Sequence, residues 1–180
     1  MKALIVIDFT HDFVDGKLPV GEAAVAIQHT VAELTRRYVE QQDFVVMAVD
    51  LHEENEAYHP EAKLFPPHNL RGTEGRNLFG ALESAYKENK EQIYWMDKSR
   101  YSAFCGTDLD VKLRERGIRE ISLIGVCTDI CVLHTAVDAY NLGYNITVYK
   151  DAVASFNAAG HDWALTHFEG TLGARVINSN

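Results

Sequence analysis

The chain has 180 residues, of which 47% are apolar and 24% charged, an ordinary globular balance that excludes collagen-like, low-complexity and wholly disordered chains. Its 26 acidic and 17 basic side chains leave a formal charge of −9 with no long Lys/Arg cluster, so the surface repels phosphate backbones and nucleic acid is not an expected partner. The longest strictly apolar run, Phe44 to Val49, has six residues against the ~20 that span a bilayer, so no membrane span is expected.

Short β-branched apolar runs alternate with helical patterns along the chain. The first run, Ala3 to Ile7, stops at the carboxylate of Asp8, which does not suit a secretory leader. Ala24, Ile27, Val31, Leu34 and Tyr38 then recur at helical spacing within a stretch from Glu22 to Gln42. Phe44 to Val49 is the second run. A weaker helix, Leu78 to Asn89, precedes the third run, Gln92 to Met96. The next helix, Leu109 to Arg116, stops at Gly117, a suitable residue just beyond a helix end. Glu120 to Gly125 is the fourth run, followed by a helix from Asp129 to Leu142. Asn145 to Tyr149, a helix from His161 to Glu169, and Ala174 to Ile177 complete the pattern. Apolar runs without alternation predict strands buried on both faces, and their alternation with helices predicts a mostly parallel sheet. The expected fold is a three-layer α/β/α arrangement around a six-stranded sheet. No repeat, linker or composition shift divides residues 1–180, so a single domain is expected.

Leu51 to Asn77 breaks the rhythm. It has no clear period, carries three of the four prolines, and contains His52, Tyr58, His59, Phe65 and His68. A loop of this length in a compact domain is usually functional or disordered, and its aromatic and histidine content argues against disorder.

Ligands of open α/β sheets bind beyond the carboxyl ends of the strands. The chemistry-bearing residues of this sequence collect at those ends: Asp8 after the first run, Asp50 and His52 after the second, Asp97 and Lys98 after the third, Cys127 and Cys131 after the fourth. A parallel sheet delivers them all to one rim. With Thr128 as N-cap, Cys131 falls in a first helical turn, where free N–H groups and a nearby Lys98 favour a thiolate. Asp8 is then placed to take the thiol proton, and the Cys127 and Cys131 amides to hold an oxyanion. Cys127, at a strand exit, and Cys105, in a loop, suit the nucleophile's role less well. The three cysteines form no C-x-x-C motif, and their odd number suits free thiols in a reducing cytoplasm. Asp50, His52 and His68, with either Glu61 or His59, make a donor set suited to Zn, Mn or Fe. Asp12 reads as a capping or surface residue. His134, His161 and His167 read as structural or surface residues, and Phe13, Phe65 and Tyr101 as candidate walls for a flat ring.

Asp8 with Asp12-Phe13, Asp50-x-His52, Phe65-Pro66-Pro67-His68, Lys98, and Gly125-Val126-Cys127-Thr128-Asp129-Ile130-Cys131-Val132 together resemble the nicotinamidase/pyrazinamidase branch of the isochorismatase-like cysteine hydrolases. The resemblance runs from Leu4 to about Ile177; Thr10 departs from it, many relatives having Gln there. It implies Asp8, Lys98 and Cys131 as catalytic residues, and a divalent metal, zinc first among candidates, on Asp50, His52 and His68. The segment from Tyr58 to Phe65 resembles the Glu-ligand type, which favours Glu61 over His59 as the remaining ligand. A cis peptide before Cys127, aiming the Cys127 and Cys131 amides at the oxyanion, is implied as well. So are nicotinamide as substrate, ring contacts from Phe13, Phe65 and Tyr101, a thioester on Cys131, a place in NAD salvage, and a homo-oligomeric state. The alternative is a metal-free sibling hydrolase acting on another small amide, a carbamoyl compound or a vinyl ether.

Overall fold

A computed structural model describes residues 1–180. Its six strands are β1 Ala3–Ile7, β2 Phe44–Asp50, β3 Ile93–Lys98, β4 Glu120–Val126, β5 Asn145–Ala154 and β6 Arg175–Ile177. Its α-helices are α1 His11–Val14, α2 Glu22–Glu40, α3 Gly80–Asn89, α4 Leu109–Glu115, α5 Leu133–Asn141 and α6 Ala158–Gly170. The strands form one sheet in the order β3-β2-β1-β4-β5-β6, and every pairing is parallel. No helix is long and apolar enough to cross a membrane.

Alternation of side chains along buried strands builds the two outer layers. Ile5, Ile7, Val46, Ala48 and Leu123 pack in one cluster with Leu109 and Leu113 of α4, Ala136 of α5 and Phe168 of α6. Leu4, Val6, Val45, Met47 and Ile124 pack in the other with Val31, Leu34 and Tyr38 of α2 and Leu82 of α3. The architecture is therefore the three-layer α/β fold expected from the apolar runs.

Departures from the expected elements have local causes. β5 continues to Ala154 because the pairing with β4 shifts register between Leu123 and Gly125, and the intervening bulge carries the polar Lys150 and Asp151 that end the apolar run in the sequence. α3 starts at Gly80, since Leu78 bridges to Thr10 and Phe79 N–H donates to Phe9 O at 3.0 Å. The helix expected from Asp129 begins instead as a π-helical turn, Thr128–Val132, whose wide geometry has the Val132 amide donating to Cys127 O at 3.1 Å. Thr128 is not its N-cap: its hydroxyl sits 2.8 Å from His161 Nδ1 at the start of α6.

The long segment after β2 is held at several points. His52 N–H donates to Asn69 O at 3.1 Å, and Arg71 N–H returns a bond to His52 O at 2.9 Å. Two short 3₁₀ turns, Pro60–Lys63 and Glu74–Arg76, shape the remainder.

The strand order reverses between β1 and β4, the switch point where open α/β sheets place their ligands. There Gly125 pairs with Ile7 and has φ +111°, and a Cβ on it would fall 2.0 Å from Ile7 O. Gly125→Ala is expected to cost about 3 kcal/mol or more, from backbone strain and overpacking together. Thermal or denaturant unfolding measures it; wild-type stability would contradict the close approach.

Candidate active site

Asp8 leaves β1, Asp50 and Lys98 end β2 and β3, and Cys131 lies in the π-helical turn after β4. The topology brings all four to the same rim. Lys98, 2% exposed, directs its Nζ at Asp8 Oδ2 (2.7 Å), Asp50 Oδ1 (3.2 Å), Arg100 O (3.1 Å) and Cys131 Sγ (3.8 Å). Asp8 Oδ1 accepts the Asp50 N–H at 2.8 Å. Asp8 Oδ2 has the ion pair with Lys98 but no hydrogen bond of regular geometry, so it retains capacity for a proton. Asp8 holds φ +53°, a left-handed backbone conformation unusual outside glycine.

The charge states follow from burial and neighbours. Burial raises the Asp8 carboxyl above its usual range, against the pull of the Lys98 ammonium. Burial disfavours the charge on Lys98, yet the Asp50 and Asp8 carboxylates outweigh it and keep the ammonium well above its ordinary range. For Asp50, burial is outweighed by Lys98 and by the imidazoles of His52 and His68, which hold the carboxyl below its usual range. Burial pushes the Cys131 thiol well up despite Lys98. Burial thus works against the thiolate that the turn and the ammonium favour, and a base beside the sulfur answers that cost.

Lys98→Met tests this network. Removing the ammonium leaves Asp8 and Asp50 buried without their shared cation, and the expected loss is about 3–5 kcal/mol in denaturant unfolding. A loss near zero would mean that the two carboxylates are neutral.

Beside this cluster, Asp50, His52, Glu61 and His68 are all buried, and each offers a ligand atom within 4.8 Å of the others. His68 Nδ1–H donates to Pro66 O at 2.8 Å, which leaves the lone pair on Nε2. That Nε2 lies 3.6 Å from Asp50 Oδ2 and 3.7 Å from Glu61 Oε2, and it has no hydrogen-bond partner. A lone pair set against two carboxylates fits a shared cation. His52 Nε2 is 2.9 Å from Asp50 Oδ2, and its Nδ1 is 3.2 Å from Glu56 Oε2, the outer-partner arrangement of a metal-bound imidazole. The donor set fits a divalent metal site. His59, the alternative ligand, is engaged elsewhere: its Nε2–H donates to Ser99 O at 2.8 Å and its Nδ1 accepts the Glu61 N–H at 3.2 Å.

Phe13 meets the His68 ring edge-on at 5.0 Å and Phe65 does so at 6.4 Å, while Tyr101 packs on His134 at 5.2 Å. A cavity of about 480 Å³ is lined by His52, Glu61, Phe65 and His68, but not by Phe13, Tyr101, Asp8, Lys98 or Cys131.

Several residues hold the site in ways the sequence reading did not assign. Asp12 is buried rather than on the surface, and its carboxylate accepts the Asn69 N–H at 2.7 Å. Asn69 also takes the Thr10 hydroxyl on its side-chain oxygen at 2.9 Å, tying the segment after β1 to that bearing His68. Arg76 donates to Asp50 O at 2.8 Å and pairs with Asp97, fixing the ends of β2 and β3. Only the neighbouring motifs could have pointed to Asn69, and nothing pointed to Arg76.

Comparison with known proteins gives this fold a class. The crystal structure of nicotinamidase/pyrazinamidase PncA from Bacillus subtilis matches with a TM-score of 0.96 and 54% identity, over 99% of this chain and 100% of that one. The pyrazinamidase/nicotinamidase of Streptococcus mutans UA159 matches at 0.95 and 51% identity, over 98% and 100%. The pyrazinamidase of Pyrococcus horikoshii in complex with zinc matches at 0.87 and 30% identity, over 98% of each chain. These matches define a hydrolase built on a parallel three-layer α/β fold. An isochorismatase domain model matches residues 2–180, and the chain belongs to the isochorismatase family.

Proposed function

We propose that the protein is a nicotinamidase, a cysteine amidohydrolase that converts nicotinamide to nicotinate and ammonia. The observation that carries this reading is the meeting of Cys131 Sγ and Asp8 Oδ2 at the Lys98 ammonium, 3.8 and 2.7 Å from Nζ, beside the Asp50 cluster.

Asp8 takes the Cys131 thiol proton as sulfur attacks the carboxamide carbon, forming the C–S bond. The carbonyl electrons move to oxygen, and the Cys127 and Cys131 amides at the entry to the π-helical turn hold the oxyanion. The Val126–Cys127 peptide there is cis. As the oxyanion collapses, the C–N bond breaks and Asp8 returns the proton to the departing nitrogen, which leaves as ammonia. Water attacks the Cys131 thioester as Asp8 accepts one of its protons; the C–S bond breaks, Asp8 passes that proton to the sulfur to re-form the thiol, and the acid loses its remaining proton to solvent and leaves as nicotinate. Lys98 stays an ammonium throughout and balances whichever of Asp8 and Cys131 is negative. Phe13, Phe65 and Tyr101 provide the ring contacts.

A divalent cation on Asp50, His52, Glu61 and His68, which we take to be zinc, would supply a Lewis acid that binds the ring nitrogen and orients the substrate. The same reading includes a role in NAD salvage, a cytoplasmic location and a homo-oligomeric state, and the formal charge of −9 supports the expectation of no nucleic-acid partner. Ammonia release from nicotinamide, measured with and without a chelator, tests the reading. Turnover only on a carbamoyl compound or vinyl ether, indifferent to chelator, would favour the metal-free sibling.

A further inference from the structure

Asp50, His52, Glu61 and His68 are 1, 7, 6 and 3% exposed, so a cation must pass through protein to reach them. The cavity of about 480 Å³ offers the way in. Its wall includes His52, Glu61 and His68 together with Glu53, Glu54 and Glu56, and none of the thiol-side residues Asp8, Lys98 or Cys131. Glu56 spans the two environments. Its side chain is 29% exposed while Oε2 lies 3.2 Å from His52 Nδ1. His52, Glu56 and His59 cluster at the mouth within 4.8 Å, but both His59 nitrogens are held by Ser99 O and the Glu61 N–H, so Glu56 is the free donor beside His52. The wall also carries the buried His68, whose Nε2 lacks any partner. Arg71 pairs with Glu53 at 2.6 Å, which leaves Glu54 and Glu56, outside the buried group, as wall acids without an Arg or Lys partner.

We propose that this cavity is the loading route for the divalent cation, with Glu56 relaying the ion from the mouth to His52. The inference rests on the metal centre of the proposed function. A cleft lined by one sign of charge concentrates its counter-ion and speeds capture by about 10- to 1,000-fold. Exposed carboxylates accept a hydrated cation readily, and the deeper imidazoles then hold it more selectively.

The test is the rate at which metal-stripped, full-length protein takes up Co²⁺, followed by its ligand-field absorbance at low ionic strength. Glu54→Gln with Glu56→Gln removes both charges while keeping an acceptor for His52 Nδ1–H. Glu40→Gln with Glu91→Gln removes the same charge beside the amino ends of β2 and β3, at the opposite edge of the sheet. The cavity pair is expected to slow uptake by about tenfold or more, and the control pair by less than about twofold. In the wild type, added salt is expected to slow uptake steeply, a measurement that needs no variant. Equal slowing in both pairs, no slowing in either, or a salt-independent wild-type rate would overturn the route. Absence of stoichiometric Co²⁺ at the wild-type endpoint would overturn the metal centre itself, whereas a full endpoint with unchanged rates removes only the route.

Discussion

Cys131→Ala is expected to keep its fold and its cation and to lose ammonia release from nicotinamide by about 10⁴-fold or more. The substitution removes one buried sulfur, so its stability cost is about 1 kcal/mol. Lys98 keeps Asp8, Asp50 and the Arg100 carbonyl as partners, so the ion network survives without the thiol. The cation's donors are untouched. An ammonia assay, elemental analysis and a thermal melt on one preparation separate these quantities. Retained turnover would transfer the nucleophile's role to water and leave Cys131 as packing.

His52→Ala is expected to behave in the opposite way. The thiol, Asp8 and Lys98 stay in place, while the buried group loses the imidazole that contacts both Asp50 and Glu56. Changes in outer partners alone lower metal affinity by about 10- to 100-fold, so loss of a direct donor should exceed about 100-fold. Chelator competition reads that loss, and KM for nicotinamide should rise with it. Unchanged metal content would remove Asp50, His52, Glu61 and His68 as the metal site. The two variants together separate the thiol's contribution from the cation's.

Strands buried on both faces need unbroken apolar runs, and Ala3 to Ile7 and Phe44 to Val49 show them plainly. That is why the sheet and its layers were legible from the residues. Where a polar pair sits in a bulge, as at Lys150 and Asp151, the signal ends while the strand goes on. The π-helical turn was illegible because Thr128 has the chemistry of an N-cap but spends its hydroxyl on His161, a partner 33 positions away. Parallel strand ends made Asp8, Asp50, Lys98 and Cys131 visible as a group before any distance was known. The desolvation that works against a Cys131 thiolate was not visible, since it depends on how completely the fold removes water from the sulfur. Asn69 and Arg76 hold the site through backbone groups of distant segments, and such bonds leave no spacing to recognise.

The turn bearing Cys131 is braced from downstream: Thr128 by His161, and Asp129 by the Ser155 hydroxyl at 2.5 Å. During synthesis the thiol, its base and its ammonium therefore all leave the ribosome before the braces do. A nascent chain stalled short of Ser155 would carry every reactive group while lacking the buttress that orients them, so competence for chemistry would arrive late in translation, as one of the last acts of folding.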